Sequence, residues 1–485
     1  MEFAGLFAGR RRLQNGHDGG MDHEGPAEAV SGKAVAKSTG GVIPATPWQA
    51  GAWRFWVAVL LTGVATGLGA VALARVLEFV QHVAWHGAGT DILEVAGHAS
   101  AGRRVLVLLG AGVVTVVGQL LLKELTSGNS IDTTAAIWFY AGRMPALKTL
   151  GSAVLSIFAV GMGTSLGREG APKQAGSVFA NLFSDWKRLP NEQRRLLVSC
   201  GAGAGMSAAY GVPLGGALFA LEVMRGKLAR RYVLPALVAS IVATGVAWLW
   251  LPNQVTYAIP PFPSSASAVA WALVVGPIAG LSAVGFVRLV RWADQSKPKG
   301  QQRFWLPIVM LGGLGVVAIW YPQILGNGKD ISQLLFADQV APLLVFALLV
   351  LKPLATVMCL RGGVPGGLFT PSLTAGALLG AALGHVWSLV WPGVPGGLFA
   401  LLGAGAMLAA TTQGPISSMV LIMELTGVNR SFLLPLFVIA CGAVLVARSV
   451  DSRAIYDAKL TDEQIAERQR LRDVTPQQVW PGITR

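Results

Sequence analysis

The stretch Gly167-Arg168-Glu169-Gly170-Ala171-Pro172 places two charged residues in the middle of a strongly apolar sequence. A charge at bilayer depth costs about 2.5–3.5 kcal/mol on insertion scales. The glycines and the proline predict a broken helix, with free backbone N–H groups where the next helix begins. Such an N-terminus attracts anions, because its orphan donors and its positive dipole end point the same way. A carboxylate there can occupy the anion site, or leave it when protonated, so the stretch predicts an anion gate.

The rest of the chain has the composition of a membrane protein. Hydrophobic residues make up 53% of the 485 residues and charged residues 13%, against roughly 25% charged in soluble proteins. Apolar runs with few or no charges cover residues 56–74, 105–122, 233–251 and 343–360. Each is long enough for a membrane-spanning helix. We therefore predict an all-α integral membrane protein with several passes, and not a large soluble α/β enzyme.

The charged residues concentrate outside these runs. Residues 1–47 are polar and lack the apolar core of a secretory signal peptide, so we predict a disordered cytoplasmic tail. Residues 451–485 form a short C-terminal segment in which we expect no regulatory domain. The net charge is +14, and basic residues cluster in short loops such as 225–231. This pattern favours positive-inside anchoring, in a plasma or bacterial inner membrane, over nucleic-acid binding.

The sequence gives little support for an enzyme, a metal site or a cofactor site. The three cysteines lie apart in apolar stretches without Cys-x-x-Cys spacing, which favours packing roles. An intramembrane enzyme would need a nucleophile and a base, but His385 has no acidic partner nearby in the sequence. We therefore expect no metal and no cofactor, and keep an intramembrane enzyme only as a remote alternative.

The second half of the chain weakly repeats the first. The matching positions are Gly201 with Gly403, Ala208 with Ala410, Pro213 with Pro415, Glu222 with Glu424, and residues 167–172 with 366–371. Duplicated halves with Gly- and Pro-interrupted helices are typical of transporters, whose site lies between the repeats. We place the repeats at residues 48–255 and 256–450. The apolar segments 131–140, 213–224 and 415–425 are too short to cross a bilayer, so an ion is expected at their buried ends.

Three segments offer hydrogen-bond donors to a dehydrated anion. The first is the Glu169 stretch. In the second, residues 366–371, two glycines expose the N–H groups of Leu368 and Phe369. The third, Thr126-Ser127-Gly128-Asn129-Ser130, is a polar turn before a short helix. Such donors suit chloride, whereas a lysine would bind it more tightly and release it too slowly for conduction. The alternative is that the glycines merely allow close packing and that the turn caps a helix.

At these motifs the chain resembles the CLC family of chloride channels and chloride/proton antiporters. Residues 167–172 look like the family's G-R-E-G-x-P signature, and residues 367–371 match its G-x-F-x-P motif. Tyr456 falls where the family places its central tyrosine. The resemblance covers residues 50–460. It implies an antiparallel (inverted) internal repeat with many tilted, broken and half-spanning helices, and a homodimer in the lipid bilayer with one pore in each subunit.

The resemblance also implies roles for individual residues. Glu169 would be the gating glutamate. The residues expected to bind chloride or a similar small anion are Ser127, Arg168, Gly170, Leu368, Phe369 and Tyr456. The family's usual G-S-G-I-P motif lacks its proline here. Ser127 is the better match because a glycine follows it, and Ser130 is the rival. Preference among chloride, nitrate and fluoride depends on which serine reaches the ion.

The inner proton path departs from the pattern of the family's antiporters. These commonly carry two consecutive glutamates, whereas here Glu222 is followed by Val223. An apolar side chain cannot carry a proton. We therefore predict channel-like, passive chloride conduction, with Glu169 displaced by protonation or by external chloride. The alternative is a chloride/proton antiporter in which Glu169 shuttles the proton, with Glu222 or water on the inner leg.

Overall fold

The apolar runs form long helices in the computed structural model of the chain, which describes residues 43–44, 48–49, 51–86, 91–126, 131–427 and 430–473. The α-helices in these ranges are α1 (Trp53–Trp85), α2 (Ile92–His98), α3 (Ala101–Leu125), α4 (Thr133–Phe139), α5 (Ala146–Gly161), α6 (Gly170–Trp186), α7 (Asn191–Tyr210), α8 (Pro213–Phe219), α9 (Arg230–Ala247), α10 (Ala266–Gln295), α11 (Gln302–Val317), α12 (Lys329–Phe336), α13 (Pro342–Arg361), α14 (Phe369–Ser388), α15 (Gly396–Thr412), α16 (Pro415–Thr426), α17 (Leu433–Val450) and α18 (Asp462–Asp473). The prediction of an all-α protein is confirmed.

Some predictions concern residues outside the described ranges. The tail predicted for residues 1–47 lies almost wholly outside them, and so do both candidate serines, Ser127 and Ser130. The C-terminal segment is described as far as residue 473. The limits of the two repeats stay predictions.

Helices of two length classes build the membrane region. Within the described ranges, six segments are long and apolar enough to cross a membrane: Trp53–Trp85, Ala101–Leu125, Arg230–Ala247, Ala266–Gln295, Pro342–Arg361 and Leu433–Asp457. The segments predicted to be half-spanning form the short helices α4, α8 and α16. The chain is therefore a multi-pass membrane protein in which some helices end inside the fold.

Glycines let helices of the same half pack with their backbones in contact. Gly176 of α6 faces Gly201 of α7, and a Cβ on either would clash with the carbonyl oxygen of the other. Gly376 of α14 faces Gly403 of α15 in the same way, and a Cβ on either would clash with the carbonyl oxygen of the other. Because lipid tails supply no hydrophobic force between helices, such contacts between small residues drive helix association. The two pairs occupy matching places in the two halves, in agreement with the internal repeat.

We expect Gly201→Ala to lower the melting temperature of the detergent-solubilised protein by several degrees. The added methyl group must push α6 away from α7, and overpacking of this kind costs about 1–3 kcal/mol. Gly245→Ala is the control, because a Cβ at Gly245 meets no atom within 4 Å. Equal melting temperatures for the two variants, measured by intrinsic fluorescence, would show that the glycine contact contributes little to stability.

Candidate functional site

Two broken helices meet end to end at the paired motifs. Helix α6 begins directly after Glu169, and α14 begins directly after Leu368. Just before these starts, Gly167 and Gly367 exchange backbone hydrogen bonds with N···O distances of 2.8 and 2.7 Å. A Cβ on either glycine would clash with the Glu169 carboxylate. Two helix N-termini, each equivalent to about half a positive charge, therefore converge on one buried point.

The carboxylate of Glu169 fills this point. The residue is only 2% exposed. Its Oε1 accepts the backbone N–H of Phe369 at 2.8 Å, and its Oε2 accepts the hydroxyls of Tyr210 at 3.1 Å and Thr370 at 3.2 Å. The two hydroxyl oxygens also lie 2.7 Å from each other, within hydrogen-bond distance. The two hydroxyl protons are therefore shared among three contacts: one between the hydroxyls and two with the carboxylate. The carboxylate thus occupies donors that a small anion could use, which agrees with the gating role predicted for Glu169.

Arg168 and Gly170, the neighbours of Glu169, contribute in different ways. The guanidinium carbon of Arg168 lies 5.4 Å from the centroid of the Tyr210 ring, in a cation–π arrangement. Its charge therefore lies beside the ring whose hydroxyl donates to Glu169. Gly170 allows close approach of the two motifs, because a Cβ there would lie 2.8 Å from the backbone nitrogen of Gly367. Direct contact of either residue with an anion stays a prediction.

Tyr456 lies in a short 3-10 helix, Ile455–Asp457, beyond the end of α17. Its ring packs edge-on against Phe219, with the centroids 5.5 Å apart. Its hydroxyl is buried and has no hydrogen-bond partner among the described residues. A buried donor without a partner is costly, so this hydroxyl is available to an anion. That is the property which the family resemblance assigns to Tyr456.

Comparison with known proteins decides the family. A sequence model described as voltage gated chloride channel matches residues 113–448. The chain belongs to this family. The H(+)/Cl(−) exchange transporter ClcA of Vibrio cholerae is 30% identical over 332 residues, covering 66% of this chain and 70% of that protein. The protein of the same name from Yersinia pseudotuberculosis is 28% identical over 426 residues, covering 82% and 86% respectively.

A solved structure shares the fold of this CLC protein. The structure of a slow cyanobacterial Cl−/H+ antiporter matches it with a TM-score of 0.72 at 20% sequence identity. The match covers 87% of this chain and 99% of that one. The CLC fold predicted from the sequence is therefore confirmed.

Elsewhere in this CLC protein, Glu222 caps a helix of the other half. Its Oε1 and Oε2 accept the backbone N–H groups of Ile416, at 3.2 Å, and Ser417, at 2.6 Å, in the first turn of α16. Glu424 does the same for α8, where it accepts two backbone N–H groups at 3.1 and 2.6 Å. The two glutamates that match in the internal repeat therefore have reciprocal roles, since each caps a short helix of the opposite half. Both oxygens of Glu222 are committed to the backbone, which favours a structural role.

Val223 lies in a π-helical segment, Ala220–Arg225, that follows α8. Its side chain is buried, and its carbonyl oxygen accepts a hydrogen bond from Arg468 at 3.1 Å. A π-helical turn is often found at functional sites. The segment therefore holds an apolar side chain at the position that the family resemblance predicts for the inner proton path.

The sequence analysis missed three residues of this site: Tyr210, Thr370 and Lys173. Thr370 lies at a variable place of the second motif, and Tyr210 stands just before the Gly211-Val212-Pro213 break, so proximity to a helix break was the available signal. Lys173 was visible as a further charge in the Glu169 helix. Its Nζ lies 4.3 Å from the centroid of the Tyr456 ring.

We expect Tyr210→Phe to shift acid activation of chloride flux to higher pH. The substitution removes one hydroxyl from the ionised carboxylate of Glu169, and a hydrogen bond to a charged group contributes about 1.5–3 kcal/mol. The ionised, docked state is thereby weakened, so less acid opens the path. The pH of half-maximal flux, measured in liposomes, should rise by about one unit. Tyr232→Phe is the control, because that tyrosine lies at the start of α9, against Arg225. An unchanged midpoint in Tyr210→Phe would contradict the assigned contact.

Proposed function

We propose that this CLC protein moves chloride across a membrane in exchange for protons, along a pathway gated by Glu169. One observation carries the proposal: the buried carboxylate lies where two helix N-termini converge, and it occupies hydrogen-bond donors from α14 and Tyr210. It is held there by one backbone N–H group and two hydroxyls. These are donors of the kind that binds a dehydrated halide without a full positive charge.

Exchange follows from competition for the same donors. While ionised, Glu169 acts as a tethered anion and closes the path. Protonation weakens its charge-assisted hydrogen bonds, so the neutral side chain leaves and chloride takes its place. Each departure of the carboxylate thus involves one proton and admits an anion. Because chloride occupies the donors only while Glu169 holds a proton, the site couples the two fluxes.

The comparisons favour exchange over the channel-like conduction predicted from Val223. The relatives from Vibrio and Yersinia are named as H(+)/Cl(−) exchange transporters. An apolar residue at position 223 still carries no proton. Since both oxygens of Glu222 accept backbone N–H groups, we assign the inner leg of the proton path to water. A bacterial inner membrane and a homodimer with one pathway in each subunit stay predictions of the family resemblance.

We expect Glu169→Gln to abolish proton coupling and pH dependence while chloride flux continues. Glutamine is neutral at all pH values and cannot carry the proton. Purified protein in liposomes under a chloride gradient, with external chloride and protons followed together, measures both fluxes. Glu78→Gln is the control, because Glu78 forms an exposed ion pair with Arg75.

The wild-type protein distinguishes the two mechanisms in the same assay. Chloride efflux that drives protons uphill supports exchange, whereas chloride flux without proton movement would make the protein a channel. Unchanged pH dependence in Glu169→Gln would contradict the gating role of Glu169. Absence of chloride flux in the wild type would remove the proposed function.

A further inference from the structure

Lys173 is a buried lysine in the helix that begins at the gate. It lies in α6, one turn after Glu169, and is only 9% exposed. The N-terminal turns of a helix disfavour a cation, because the helix dipole is already positive there. Burial of an ammonium group adds a large cost unless a partner compensates it. The position of Lys173 therefore requires a compensating group.

Lys352 shows how a structural lysine is satisfied in this fold. It is 2% exposed, and its Nζ donates to the carbonyl oxygens of Ile324, Leu325 and Gly326 at 2.9–3.0 Å. All three of its protons thus have acceptors. For Lys173, the described part of the chain shows a contact of its Nζ with an aromatic ring, that of Tyr456. The two buried lysines therefore differ in what their ammonium groups contact: three carbonyl oxygens for Lys352 and an aromatic ring for Lys173.

Asp132 and Glu169 offset the positive charge of Lys173 only in part, because burial still lowers the pKa of this lysine. The charged groups that act on it are Asp132, Lys459 and Glu169. Asp132 already accepts the N–H of Thr134 at 2.9 Å and pairs with the Nζ of Lys459 at 3.3 Å. Its carboxylate raises the pKa of Lys459, which keeps that ammonium charged. Asp294 also acts on Lys459, but it is paired with Lys297. When Glu169 is protonated, Lys173 and Lys459 therefore share the one carboxylate of Asp132, and one positive charge is left in excess.

The ring of Tyr456 connects this charge to the anion site. The Nζ of Lys173 lies 4.3 Å from the ring centroid, and the hydroxyl of the same ring is buried without a partner among the described residues. A cation on the face of a phenol withdraws electron density and makes its hydroxyl a stronger donor. An anion at this hydroxyl would also supply the missing negative charge.

We propose that Lys173 is an affinity-determining residue of the anion site lined by the Tyr456 hydroxyl. This inference rests on the proposed chloride transport and adds the source of the site's positive charge. The ammonium stabilises a bound halide and strengthens its bond to Tyr456. Since an ion bound near a full charge leaves slowly, Lys173 also limits the rate of transport. The residue thus increases affinity and decreases turnover.

Chloride titration calorimetry on the purified full-length protein in detergent tests the proposal. Lys173→Met should raise the Kd for chloride about tenfold, equivalent to about 1.4 kcal/mol, while Lys173→Arg keeps it near the wild-type value. Lys299→Met, which removes an exposed charge in the loop between α10 and α11, should leave it unchanged. In liposomes, Lys173→Met should transport chloride faster than the wild type. Loss of packing alone would not produce weaker binding together with faster flux.

The outcomes that would overturn the proposal are distinct from failure of the proposed function. Wild-type Kd and flux in Lys173→Met, with the wild type still transporting chloride, would reject the role of Lys173 alone. Loss of binding in both Lys173→Met and Lys173→Arg would assign the lysine to packing. A wild type that neither binds nor transports chloride would remove both proposals.

If Lys173→Met does not fold, anomalous X-ray diffraction from wild-type crystals that contain bromide still tests the proposal. Anomalous density that places bromide at the Tyr456 hydroxyl and on the side of the ring facing the Lys173 ammonium supports the proposal. Bromide at the hydroxyl but on the opposite side of the ring overturns it.

Discussion

The convergence of two positive helix ends on one carboxylate is the constraint on which the site depends. The mutual hydrogen bonds of Gly167 and Gly367 bring the starts of α6 and α14 together. Two like dipole ends at this distance repel each other, so the arrangement is stable only with an anion between them. The Glu169 carboxylate supplies that anion from within the chain. Any step that removes its charge leaves the same donors open to a replacement ion.

The same rule governs the starts of α8 and α16. The short helices α8 and α16 begin inside the protein, where free N–H groups cannot reach water. Each start receives a glutamate from the other half, Glu424 for α8 and Glu222 for α16. Each of these two carboxylates accepts two backbone N–H groups. Similar chemistry thus underlies the proposed gate at Glu169 and the helix caps at Glu222 and Glu424, and the caps link the two repeats.

Charges inside the membrane region differ in how completely their partners satisfy them. Lys352 has three carbonyl acceptors and therefore fixes a loop. Lys173 has an aromatic face and a carboxylate that is already paired with another lysine. Lys173, the lysine whose ammonium lies against an aromatic ring, is the one beside Tyr456. We infer from this difference that Lys352 has a structural role, whereas Lys173 is the charge proposed to act on a transported ion.

The membrane class, the internal repeat and the glutamate at a helix start could be predicted from the sequence, because they follow from composition and local motifs. The resemblance to the CLC family also singled out Tyr456. Which groups reach the carboxylate could not be predicted, because Tyr210 comes from the end of α7 and Thr370 from the second half of the chain. The structure likewise shows that Glu222 caps the start of α16. Contacts between residues so far apart depend on how the helices pack, and no local pattern encodes them.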